Sequence, residues 1–124
     1  MYRSNVRQNK LLALLSERVI ARLLPQLESV DLLLGHVLYE SGSTLKHIYF
    51  PTTAIVSLLY VMEDGAAAEI AIVGNEGIVG LALFMGGETM TNRAVVQSAG
   101  QAYRLSGAAL KQEFVRGGEL QHLL

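Results

Sequence analysis

At 124 residues the chain is of single-domain length. A chain of that size buries on the order of two thirds of its unfolded surface, so its core needs no covalent staples. There is no cysteine, which excludes disulfides, thiolate metal sites and cysteine nucleophiles. Ten basic residues against eleven acidic ones give a formal charge of −1, poor equipment for gripping a phosphate polyanion, so this segment alone is not expected to bind DNA.

The longest uncharged run, Ile48 to Met62, contains Pro51, Thr52, Thr53 and Ser57 and falls short of the roughly 20 residues a membrane-spanning helix needs. No membrane partner is expected. The polar N-terminus, MYRSNVRQNK, lacks the apolar core of a secretory signal, so a cytoplasmic location is the default.

Taken in order, the first 27 residues read as helical. Asn5, followed three residues later by Gln8, is placed to cap a short helix reaching Leu15, and Ser16 to cap a second, because a side-chain oxygen satisfies the amides of a first helical turn. Val19, Ile20, Leu23, Leu24 and Leu27 share one helical face. Pro25 points to an exit near Leu24 or Leu27.

From Glu28 the pattern becomes short apolar runs separated by turns: ESVDLLL, HVLYESGS and KHIYFP, divided by Gly35 and by Ser41-Gly42-Ser43. Pro51 suits a sheet edge or a strand end. Residues 54–62 and 66–74, AIVSLLYVM and AAAEIAIVG, flank Glu63-Asp64-Gly65, a turn whose glycine supplies the positive φ of a tight hairpin. Residues 54–62 are apolar on both faces, which predicts cover from both sides, by the core and by a helix or second subunit. Strands near 92–98 and 101–105 follow, and Ser106 is placed to cap a helix through Phe114. The final residues, RGGELQHLL, open a further helix with no stop signal after it, as in a chain ending within an element. The expected fold is mainly β, a double-stranded β-helix jelly roll over residues 28–105, with flanking helices in 1–27 and 106–124.

Two N-terminal helices, a glycine-punctuated roll, a hairpin of the form IYFP-x(3)-IVSLL-x(2)-M-x-DG, a glycine loop, NRAVVQ and closing helices occur in that order. This arrangement resembles the N-terminal sensor domain of Crp/Fnr-type bacterial transcription regulators, with its cyclic-nucleotide-binding jelly roll, which is also cupin-like in architecture. The resemblance covers roughly residues 9 to 124. It implies a homodimer formed through a long helix, here beginning near Gly118, and DNA contact through a C-terminal half absent from this chain. Fold alone does not name the ligand.

The same resemblance locates a candidate ligand site at Gly77, Ile78, Val79, Gly80, Arg93 and Ala94. Nucleotide-binding members use a glycine-led loop whose amides approach the phosphate, a glutamate for the ribose hydroxyl, and an arginine followed by serine or threonine; fixed convergent donors suit phosphate oxygens. Gly77, Gly80 and Arg93 fit that scheme. Ile78 stands where the glutamate is expected, with Val79 next to it, and Glu76 lies on the wrong side of the glycine. Ala94 replaces the hydroxyl residue, and alignment on Val95 and Val96 puts Arg93 one place late, which on a strand means the opposite face. A cyclic nucleotide is therefore disfavoured, and the small-molecule effector, like any cofactor, is unidentified.

Plainer roles compete for each residue. Gly77, Gly80, Gly86 and Gly87 suit turns with positive φ. Arg93 suits a solvated strand residue paired with Glu69 or Glu88, and the apolar run 81–85 suits core. His36, His47 and His122 lie far apart with no metal-ligand spacing, and no nucleophile elbow, P-loop or dinucleotide fingerprint appears, so the chain is not expected to be an enzyme. The leading expectation is a regulatory effector-sensing domain with a degenerate nucleotide loop. The alternatives are a ligand-free interaction module of the same fold and, behind it, a cupin-like metalloenzyme.

Overall fold

The computed structural model describes residues 6–42, 46–80 and 92–116. A single 3-10 turn, Val6–Gln8, leads into α1 (Lys10–Ala13) and α2 (Glu17–Leu23), and a second 3-10 turn, Leu24–Gln26, carries Pro25. Ser16 caps α2 as expected, its hydroxyl accepting the Val19 N–H at 3.3 Å. The cap of α1 is Asn9, whose Oδ1 accepts from Leu11 and Leu12; Asn5 lies outside the described residues. Leu24 departs from the expected buried face, being 48% exposed, because the chain tightens into the Pro25 turn just after Leu23.

Among the described residues seven strands follow: β1 (Glu28–Leu32), β2 (Val37–Tyr39), β3 (His47–Pro51), β4 (Ile55–Val61), β5 (Ala67–Val73), β6 (Arg93–Ser98) and β7 (Gly100–Ser106). They form two antiparallel sheets ordered β1-β7-β3 and β2-β6-β4-β5, with α3 (Gly107–Arg116) closing the described chain. This is the mainly β, jelly-roll architecture expected. The β4–β5 hairpin turns through Gly65 at φ 89°, with Asp64 Oδ1 accepting the Ala66 N–H. Ser106 caps α3 through Ala109 N–H.

Two details differ from the sequence reading. β1 stops at Leu32, and Leu33 and Leu34 sit in the following turn at 70% and 72% exposure; three consecutive leucines mark hydrophobicity, not the end of a ladder. Residues 54–62 are not covered on both sides by the described residues, since Ile55, Tyr60 and Met62 are 37%, 52% and 42% exposed.

The register divides the interior into two cores. On one face of the β1-β7-β3 sheet, Ile48, Phe50, Tyr103 and Leu105 pack with Leu12, Leu23 and Leu110 of the helices. On the other face, Leu32, Tyr49 and Ala102 meet Tyr39, Val56, Ala94 and Val96 of the second sheet inside the roll. Alternation of side chains along a strand makes one sheet serve both cores. Among the described residues no helix is long and apolar enough to cross a membrane.

Candidate ligand site

The glycine loop leaves β5 at Gly74 and is built by local hydrogen bonds. Gly77 N–H donates to Gly74 O at 3.2 Å, and Glu76 Oε1 accepts the Gly74 N–H at 3.1 Å, which turns that carboxylate back on its own loop. Val79 and Tyr49 exchange both backbone hydrogen bonds, at 2.8 and 3.0 Å, fastening the loop to β3. The amides of Gly74, Gly77 and Val79 therefore already have acceptors within the chain.

Glycine is required at two points. Gly80 has φ 101°, a conformation L side chains rarely adopt. A Cβ on Gly77 would lie 2.9 Å from Val73 Cγ1, forcing apart the loop and a strand residue packed against the roll core. Between them, Ile78 packs against the helical core while Val79, fully buried, points into the roll. An alkyl group thus occupies the inner side of the loop.

Arg93 and Ala94 stand on opposite faces of β6. Ala94 is fully buried, in register with Tyr39 and Leu58, and belongs to the roll core. Arg93 lies beside Leu59 and pairs through Nε with Glu40 Oε1 at 2.7 Å. Its acid is Glu40, not Glu69, which instead accepts the Ser57 hydroxyl at 2.7 Å; Glu88, Gly86, Gly87 and the run 81–85 lie outside the described residues. The structure therefore brings Val79 and Ala94 into one cluster and leaves Arg93 outside it.

Sequence reasoning missed two groups around this site. Tyr39 sits in the roll core and donates its hydroxyl to Asn92 Oδ1 at 2.7 Å; burial pushes its phenol up to about 12. In the other sheet, Glu28, Arg104 and Tyr49 form one row across β1, β7 and β3. The Arg104 hydrogen bond holds the Glu28 carboxyl below its usual range, and the same bond raises the guanidinium. Neither residue of the 2.7 Å Glu28–Arg104 pair carries a local signal, because the partners are 76 positions apart. Among the described residues no three His, Cys, Asp or Glu side chains converge as a metal site would require.

The model of the cyclic nucleotide-binding domain family matches residues 30–116, which takes in the roll, the glycine loop and α3. The chain belongs to that family. Solved structures agree on the fold of this cyclic nucleotide-binding domain. The N-terminal domain of a transcriptional regulator from Streptomyces coelicolor A3(2) is 23% identical, with a TM-score of 0.75 over 96% of this chain and 83% of that one. The Thermus thermophilus catabolite activator protein is 15% identical, with a TM-score of 0.76 over 91% of this chain and 53% of its own length. The sensor domain of the transcriptional regulator DNR from Pseudomonas aeruginosa is 18% identical, with a TM-score of 0.74 over 91% and 74%. No curated protein sequence matches the chain.

Proposed function

We propose that this chain is the effector-sensing domain of a Crp/Fnr-like bacterial transcription regulator, and that its effector is not an ordinary cyclic nucleotide. Family membership and the likeness to regulator sensor domains support the first part. The second rests on one observation: Ala94 faces the roll interior while Arg93 faces outward onto Glu40. A phosphate in the roll would lack that guanidinium, and the loop amides of Gly77 and Val79 already donate to the chain itself.

The mechanism is a population shift. An effector that binds one arrangement of loop and helices better than another biases α3, and through it a DNA-binding half; the dimer helix expected near Gly118 lies outside the described residues. Two tests separate these parts. The coding sequence after codon 124 is expected to continue into a helix-turn-helix; any other continuation removes the transcriptional reading. A thermal-shift panel of cyclic nucleotides, small anions and neutral apolar ligands is expected to give concentration-dependent stabilisation only with non-nucleotides. Stabilisation by none of them supports a second reading, a ligand-free interaction module, which the self-satisfied loop and the buried Val79 and Ala94 favour.

A further inference from the structure

The most heavily committed side chain near the glycine loop is not in the loop. Asn9 is fully buried and uses all its hydrogen-bonding capacity: Oδ1 accepts from Leu11 and Leu12 at the start of α1, while Nδ2 donates to Pro51 O at 2.8 Å and Gly77 O at 2.9 Å. Next to it, Lys10 N–H donates to Asn75 O at 2.6 Å. Helix cap, strand end and loop therefore meet at one amide. A serine would satisfy the helix alone and an alanine none of these groups, so capping alone does not account for an asparagine here.

The helices that Asn9 holds are in turn fastened to α3. Leu12, Leu23 and Leu110 are fully buried in one cluster, and Arg22 of α2 forms a two-pronged pair with Glu113 of α3, Nε to Oε2 at 3.0 Å and Nη2 to Oε1 at 2.7 Å. Glu113 is only 3% exposed, so its charge is compensated largely within the protein, and a fork of this kind fixes orientation as well as distance.

We infer that Asn9 is the positioning residue of the glycine loop, and that α1 and α2 transmit the position of that loop to α3 through the Arg22–Glu113 fork. This rests on residues 74–80 being the effector loop. A ligand that displaces Gly77 O must stretch or break the Asn9 bond, which moves or loosens the α1 cap; the shared core and the fork pass that change to α3. Packed cores and fixed forks transmit such shifts because they resist continuous deformation.

Hydrogen exchange on the ligand-free 124-residue chain tests the coupling. Asn9→Ser keeps a capping oxygen for Leu11 and Leu12 but has no amide to reach Gly77. Exchange at Gly77 and Val79, and at Leu110 to Glu113 in α3, is expected to accelerate about tenfold relative to the amides of β4 and β6, which report global opening. Coupling is reciprocal, so Glu113→Gln must accelerate Gly77 and Val79 as well; this variant decides the matter if Asn9→Ser does not fold. The inference is overturned if α3 in Asn9→Ser changes only in step with β4 and β6, or if Glu113→Gln leaves the loop as it was. Because no ligand is present, a failed effector panel would remove the sensor reading and leave this result standing.

Discussion

The two faces of the β1-β7-β3 sheet are packed by different chemistry. The helical face is filled with large, fully buried side chains, Leu12, Leu23, Ile48, Phe50 and Leu110, and is tied by Asn9 and the Arg22–Glu113 fork. The roll face is built from smaller groups, Ala54, Ala94, Ala102 and valines, with Tyr39 and Tyr49 among them. The ion pairs Glu40–Arg93 and Glu28–Arg104 stay partly exposed, outside that core. The contrast separates a clamp, where large side chains and fixed bonds determine stability, from a second core built of smaller buried groups.

The comparison is broken most severely by changing the clamp. Leu23→Ala removes a fully buried side chain that contacts both helices and sheet, and chemical denaturation is expected to register a loss of about 2–5 kcal/mol. In the roll core the sign of the volume change reverses. Ala94→Leu adds bulk beside Tyr39 and Val79 and is expected to cost about 1–3 kcal/mol by overpacking. Equal losses from deleting and adding volume at either face would mean the two cores do not differ as described.

Tyr39→Phe sharpens the polar part of the roll core. It removes the donor to Asn92 and is expected to cost about 0.5–1.5 kcal/mol at neutral pH. The folded phenol is raised from 10 to about 12, so its contribution is present below the unfolded value and is lost as pH rises through the folded one. A phenolate absorbance titration should show a late step from Tyr39, and that step should vanish in the variant. The smallest effect belongs to Glu28, whose folded carboxyl is lowered by Arg104. Its contribution is present above the ordinary carboxylate value of 4.5 and is lost as pH falls below it, through the depressed folded value. Glu28→Gln should flatten the acid limb of the stability profile by slightly lowering stability at neutral pH while leaving the acid end almost unchanged.

Much of this fold is legible in the sequence where the cause is local. Asp64-Gly65 announces the hairpin because a tight turn needs positive φ, and Ser16 and Ser106 announce helices because their hydroxyls reach amides three residues on. The opposite faces of Arg93 and Ala94 follow from strand alternation alone. Where the cause is distant the sequence is silent. Asn9 finds Pro51 and Gly77 at separations of 42 and 68 positions, and Arg22 finds Glu113 at 91. Glu40, 53 positions from Arg93, takes the place that nearer acids suggested. Leu33 and Leu34 mislead for a related reason, since apolar character marks a strand only when a partner is there to pair with it.

Calorimetric titration of the chain with a cyclic nucleotide, run beside Arg93→Ala, tests the central claim most directly. The outward Arg93 and inward Ala94 predict no saturable heat in either protein. Saturable one-to-one binding that Arg93→Ala abolishes would contradict the account, because it would require the guanidinium to leave Glu40 and enter the roll.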